Sequence, residues 1–126
     1  MEEDLFDAAD QGNTDEIAAL LDDGVNVNAR DEDGFTALIL AAEEGHIETV
    51  RLLLDRGANV NARTARGATA LLWAVEMGNI DTVKLLLERG ADPNVRDKEG
   101  RTPLKFAKRI PGDDLVLLLQ AAGAQS

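Results

Sequence analysis

The chain has no cysteine and no tyrosine, and only one histidine, one tryptophan and three prolines among its 126 residues. Its one serine, Ser126, stands at the end. Each scarcity excludes something. Without cysteine there is no disulfide framework, no thiolate zinc site and no thiol nucleophile. A Ser-His-Asp triad would have to recruit Ser126, so that chemistry is set aside. The longest apolar runs, such as Leu115 to Leu119, fall far short of the about 20 residues a bilayer span needs, and no membrane partner is expected. The opening Met1-Glu2-Glu3-Asp4 is acidic, unlike a secretory signal or transit peptide, so a cytoplasmic location is expected. Nor is there an excess of base. The net charge of −11 and a pI near 4.4 argue against nucleic acid as the partner. What is present is an ordinary globular balance, 44% hydrophobic and 29% charged, in about one domain's length of chain.

The chain repeats itself every 33 residues. Gly34, Gly67 and Gly100 mark the step, each followed two residues later by Thr36, Thr69 or Thr102. Leu38, Leu71 and Leu104 keep the phase, as do Asn28, Asn61 and Asn94. Gly24, Gly57, Gly90 and Gly123 carry it along the whole chain, with Ala8, Ala41, Ala74 and Ala107. Within a unit, Asp31-Glu32-Asp33-Gly34 is a turn signal. Thr36 is an N-cap for a short helix beginning Ala37-Leu38-Ile39. Pro103 follows Thr102 in the last unit, at a helical position whose N–H needs no partner. Gly45 ends that helix, and His46 begins a second with Ile47, Val50, Leu53 and Leu54 at helical spacing. Gly57 is its stop. A helix pair this short cannot bury its own apolar face, so the units must stack as a solenoid.

The segment from Asp31 to Arg63 resembles an ankyrin repeat, with its turn, Gly-x-Thr-x-Leu, Ala-Ala, Gly-His, leucine run and Gly-Ala-Asn-Val-Asn-Ala. The resemblance implies an all-α solenoid with β-turn or hairpin tips. It divides the chain into an N-terminal capping copy at 1–30, full copies at 31–63 and 64–96, and a C-terminal capping copy at 97–126. Departures from the family pattern are Ala37 and Ala70 in place of proline, Ile39, Leu72 and Lys105 in place of a histidine, and Thr64 in place of the turn aspartate. These are expected to remove side-chain hydrogen bonds between copies. The column Asp7, Leu40, Trp73, Phe106 is charged only in the first copy, as a cap facing water would be. At the other end Leu115 and Leu117 stand where the middle copies have Thr49 and Arg51, so both are expected to be exposed, and a weak dimer through them competes with a monomer.

Charge is graded along the stack, −8, −4, 0 and +1 from the first copy to the last. Acidity keeps a small protein soluble; the gradient also steers a basic partner to the first half. The resemblance implies contact with a protein partner through the turn tips and the exposed side of the first helices. Carried over position by position, the tips offer Arg30, Glu32, Asp33 and Phe35, then Arg63, Ala65, Arg66 and Ala68, then Arg96, Lys98, Glu99 and Arg101. The first helices offer Glu43 and Glu44, then Glu76 and Met77, then Lys108 and Arg109. Phe35 and Met77 stand out as anchors, because matched positions are small or charged; the alternative for Phe35 is packing on Ile39 or Arg63 of its own copy. Trp73 is read first as core, because its column is apolar.

Several motifs mislead. His46 stands at a repeat position filled elsewhere by Asn13 and Asn79, which reads as a helix start rather than catalysis. The Asp-rich turns before Gly24 and Gly34 put Ala19 and Ala29 where a calcium loop needs its first ligand. There is no phosphate loop, and Glu43-Glu44 lacks the enclosing pocket that acid catalysis needs. The resulting expectation is a binding module without enzyme activity, cofactor or metal. The alternatives are an engineered scaffold with no native partner and an accessory subunit docking through its C-terminal copy.

Overall fold

The computed structural model describes residues 1–125; Ser126 lies outside the described residues. Eight helices occur among them, in pairs: α1 (Glu2–Gln11) with α2 (Thr14–Asp22), α3 (Ala37–Glu44) with α4 (Ile47–Asp55), α5 (Ala70–Glu76) with α6 (Ile80–Glu88), and α7 (Pro103–Ala107) with α8 (Asp114–Ala121). The first helix of each pair packs on the first helix of the next, giving an inner row α1, α3, α5, α7. The second helices form a parallel outer row, more sparsely packed. Small residues make the inner row tight: Ala8, Ala9, Ala37, Ala41, Ala42, Ala70, Ala74 and Ala107 are all buried between helices. Leu5, Leu38, Leu71 and Leu104 fill one column of the core, and Ile17, Val50 and Val83 fill another.

The caps follow the sequence. Thr36, Thr69 and Thr102 each accept, through the hydroxyl, the backbone N–H three residues on, all at 3.3 Å. Pro103 sits at the start of α7. Gly45 closes α3 in the left-handed region at φ 75°, a conformation that costs glycine little. Between copies the chain returns to a tip built three times alike. Asp31 N–H donates to the Phe35 carbonyl and Gly34 N–H to the Asp31 carbonyl, and the same pair of bonds recurs at Thr64 and at Asp97. The tips are turns, with no strands among the described residues. They are linked one to the next by single backbone bonds, Ala65 N–H to Asp33 O and Lys98 N–H to Arg66 O, both 2.9 Å. At Gly34 a side chain would collide with that neighbouring tip, its Cβ falling 2.9 Å from Ala65 N.

Polar side chains supply the ties that repeat. Asn28 Nδ2 donates to Gly57 O at 3.2 Å while its Oδ1 accepts from Asn59 N–H at 2.7 Å. Asn61 does the same to Gly90 and Asp92, and Asn94 to Gly123 and Gln125. On the outer row Arg56 reaches back to Asp22 at 2.8 Å and Arg89 to Asp55 at 2.7 Å.

Two expectations are corrected, and one substitution is neutral within its own turn. Thr64 keeps that turn's side-chain bonds. Its hydroxyl accepts from Arg66 N–H and Ala68 N–H at 3.3 and 3.2 Å, as Asp31 Oδ1 accepts from Asp33 and Phe35. A hydroxyl oxygen reaches as far as a carboxylate oxygen here and can serve as the acceptor. Leu115 is not exposed. It is 3% accessible, and Thr49 and Thr82, which share its column, are buried as well. Their polarity misleads because threonine can bury its methyl in a helix interface. Leu117 alone is exposed, at 61%. Phe35, finally, does not pack only within its own copy: its ring lies 6.1 Å from that of Trp73 in the next copy, tilted by 43°.

Candidate functional site

The inner helices and the tips face one another across a groove. It holds a hollow of about 430 Å³ centred on the third copy. The tips provide Asp33, Ala65 and Arg66, and the inner helices provide Leu72, Trp73, Glu76 and Phe106. The floor is aromatic because one repeat column, Leu40, Trp73 and Phe106, faces the tip side, and Phe35 leans in from the turn. Trp73 is half-buried, core on one side and groove floor on the other. Its indole Nε1 is buried and finds no partner among the described residues.

Ion pairs are concentrated at the C-terminal side of the hollow. Arg101 Nε donates to Asp97 Oδ2 at 2.7 Å, Nη2 lies 3.6 Å from Glu99 Oε1, and the guanidinium sits 5.2 Å from the centre of the Phe106 ring. Arg109 approaches the same ring at 5.6 Å. Burial alone would raise the Asp97 pKa. The backbone N–H groups of Arg101 and Glu99 and the Arg101 guanidinium outweigh it, holding the carboxyl below its ordinary value. This pairing orients Arg101 along the groove wall.

On the inner helices Asp10, Glu43 and Glu76 fall in one column, 33 residues apart. Burial, then the charges of Glu44, Asp10 and Glu76, push the Glu43 carboxyl above its ordinary value. The column is therefore a ridge of like charge running toward the first copy. There the tip opens a second hollow of about 370 Å³, lined by Glu2, Glu3, Phe6, Arg30, Asp31, Glu32 and Asp33.

The residues singled out from sequence are divided by this geometry. Asp33, Phe35, Arg66, Glu76 and Arg101 come together around the aromatic hollow. Arg30, Glu32 and Asp33 meet at the second one. Glu43 is half-buried beside exposed Glu44, and Met77 is 47% accessible at the end of α5. Arg96 and Lys98 are exposed on the third and fourth copies, respectively. Arg30 and Arg63 also tie the stack, donating through Nη2 to the carbonyls of Arg63 and Arg96, one copy on in each case. Arg63 Nε adds a bond to Gly67 O at 3.1 Å. Ala65 and Ala68, which the resemblance also places at the tips, line the hollow as well, and Leu72 and Phe106 line it without having been assigned to the binding surface. The signal for Phe106 was present in the column it shares with Trp73.

His46 sits outside the groove floor. Its Nε2 lies 2.8 Å from the Asp10 carbonyl, which only accepts, so Nε2 carries the proton. Its ring covers Gly12, where a Cβ would come within 2.8 Å. The histidine thus joins the second copy to the first. No group of three or more metal-ligating side chains occurs among the described residues. No helix there is long and apolar enough to cross a membrane.

Stacked helix pairs joined by tight tips define a helical-repeat solenoid, a class in which apolar faces are buried only between neighbours. The chain belongs to the ankyrin repeat family. The family model, ankyrin repeats (3 copies), matches residues 5–97 and again 63–125. No curated protein matches the chain. Members of this family are generally non-enzymatic protein–protein interaction modules.

Proposed function

We propose that this chain is a cytoplasmic, monomeric binding module that holds a protein partner in the groove between its tips and its inner helices. The observation that supports this reading best is the aromatic hollow, where Phe35, Trp73 and Phe106 floor a concavity rimmed by Asp33, Arg66, Glu76 and Arg101. Such a surface has the composition of a binding hot spot: rigid aromatic anchors at the centre, charged groups at the edge. Rigidity comes from the stack, since the Asn28, Asn61 and Asn94 ties fix the loop after one outer helix to the loop after the next, and backbone bonds link successive tips. A preordered surface loses little conformational freedom on binding. Arg66, Met77, Glu44 and Lys98 extend the contact along the groove, and Glu32 and Arg30 extend it to the acidic end.

Photo-crosslinking tests the reading. Benzoylphenylalanine is installed at position 66 or 77, in the groove, and at position 51 or 84, on the outer helices. Capture of one defined protein from the source cell extract through 66 and 77, but not through 51 and 84, is expected. Capture through the outer positions alone overturns it.

A second reading has its own observation in exposed Leu117 on α8. With Leu115 buried, one leucine remains for docking or self-association. Light scattering over a range of concentrations is expected to give the 13.5 kDa monomer. A concentration-dependent dimer abolished by Leu117→Lys would favour the second reading instead.

A further inference from the structure

The hollow is aromatic at its floor, but its two ends differ. At the C-terminal end the Phe106 ring is already covered by cations of this chain, Arg101 at 5.2 Å and Arg109 at 5.6 Å. The acid there, Asp97, is paired with Arg101. At the other end Phe35 and Trp73 stand 6.1 Å apart and tilted. The two guanidinium groups at the far end, Arg101 and Arg109, stack on Phe106 and not on these rings. The acids beside them, Asp33 and Glu76, line the same hollow and have no ion pair among the described residues. The Phe106 end therefore shows, within this chain, the arrangement that the Phe35–Trp73 end is equipped to make with a guest: aromatic faces below a cation and carboxylates around it.

We infer that the Phe35–Trp73 end of the hollow receives an arginine or lysine side chain of the protein partner, its stem against the two rings and its charged head between Asp33 and Glu76. The inference rests on the groove reading above and specifies what that groove recognises. Aromatic faces attract cations through their quadrupole, and arginine also stacks its plane on them. The wider field favours the same sign. The first two copies carry −8 and −4, and the ridge of Asp10, Glu43 and Glu76 runs along the inner helices toward the first copy. Arg66 stands on the rim with Asp33 and Glu76, and Arg101, paired with Asp97, also acts electrostatically on Glu76. A basic segment would lie with its anchoring residue over Trp73 and further basic residues toward Glu43, Glu44, Glu2 and Glu3. An acidic segment would meet carboxylates along that whole course.

Trp73 is the only tryptophan, so its indole N–H is a single, site-specific NMR signal. The full chain is titrated at low salt with acetylated tri-arginine amide, tri-lysine amide and tri-glutamate amide. The two basic peptides are expected to shift the indole signal saturably, arginine at lower concentration than lysine, and the acidic peptide to leave it in place. A chain of this net charge attracts cations everywhere, so two pairs of variants separate the hollow from the general field. Asp33→Asn with Glu76→Gln should weaken tri-arginine binding about fivefold. Asp23→Asn with Glu88→Gln removes the same charge away from the hollow and should change it by less than about twofold. All four side chains belong to exposed residues, and the melting curve of each variant confirms its fold. The inference is overturned if basic peptides shift other amides while the indole stays fixed, if both variant pairs weaken binding equally, or if tri-glutamate is the peptide that moves the indole. In any of those cases crosslinking through positions 66 and 77 would still uphold the groove reading. Loss of that crosslinking would instead remove the groove reading itself.

Discussion

Replacing Asn61 by alanine tests how the copies are held together. Asn61 is exposed, yet its amide makes two bonds to the third copy: Nδ2 to Gly90 O at 3.1 Å, and Oδ1 from Asp92 N–H at 2.8 Å. A solvent-accessible hydrogen bond contributes about 0.5–1.5 kcal/mol net, so losing both should cost about 1–3 kcal/mol. For a chain of this length that lowers the melting temperature by roughly 3–10 °C. Asn59→Ala is the matched control. Its side chain accepts only from Asn61 N–H, at 3.0 Å within the same turn, so its loss should cost at most about 1 kcal/mol. The position of the tie matters as well as its strength. In a stack stabilised by nearest-neighbour interfaces, Asn61 lies at the central interface and Asn94 at the last. Asn61→Ala should lower the urea midpoint of the whole chain. Asn94→Ala, which releases Gly123 and Gln125, should first expose the amides of α8 to hydrogen exchange while α3 and α5 stay protected. Equal costs for Asn61→Ala and Asn59→Ala in urea unfolding would refute the view that these asparagines tie one copy to the next.

Four further outcomes are expected. Asp97, with its pKa held low in the fold, contributes stability that is present above its unfolded value near 3.9 and lost as pH falls through the folded value. Asp97→Asn should therefore cost about 1–3 kcal/mol at pH 7, and thermal melts should show the deficit closing below about pH 4. Glu43 has the opposite sign: with its pKa raised, the fold is favoured at low pH and loses stability as pH rises from the ordinary value of 4.5 through the folded one. Glu43→Gln should raise the melting temperature at pH 7 and low salt, and the gain should vanish below pH 4.5. Leu115→Ala should cost about 2–4 kcal/mol in urea unfolding, whereas Leu117→Lys should change stability by less than about 0.5 kcal/mol. Gly34→Ala and Gly57→Ala both force alanine to positive φ, at 82° and 91°, costing about 1 kcal/mol each; only at Gly34 does the new Cβ also meet backbone, 2.9 Å from Ala65 N, so Gly34→Ala should be the clearly worse of the two.

The 33-residue phase made the stack legible because each recurring residue has one recurring job. Asn28, Asn61 and Asn94 make the same pair of bonds to the next copy, and Thr36, Thr69 and Thr102 the same cap. Where the phase is kept by different residue types, the reading was harder. Thr64 does what Asp31 and Asp97 do, because the turn needs an acceptor oxygen at a fixed reach rather than a charge. Leu115 follows Thr49 and Thr82 into the core, because burial is a property of the column and polarity only of the residue. The hollow was half legible. Phe35 was visible as the odd residue at its repeat position. Its partner Trp73 was not, since the two are 38 positions apart and meet only when one copy is laid on the next.

That last point bears on how the groove is made. Framework columns are read along the chain, each residue against its counterpart one period on. The groove is read diagonally, from the tip of one copy to the inner helix of the next. Asp33 and Phe35 of the second copy meet Trp73 and Glu76 of the third, and Arg66 of the third shares its hollow with Arg101 and Phe106 of the fourth. A surface residue in this fold therefore acquires its chemical surroundings from a neighbouring copy, and its own copy says little about them. Exchanging one whole copy for another would keep the recurring asparagine and threonine bonds and yet replace the occupants of two diagonals. Moving residues 64–96 ahead of residues 31–63 should preserve the helical stack, since Asn28, Asn61 and Asn94 each tie to glycine carbonyls at the same spacing. It should also separate Phe35 from Trp73, because the tip carrying Phe35 would then face the fourth copy. The reordered chain is expected to melt cooperatively and to show no shift of the Trp73 indole with tri-arginine. Retention of that shift would mean that the ring pair is not what the cation recognises.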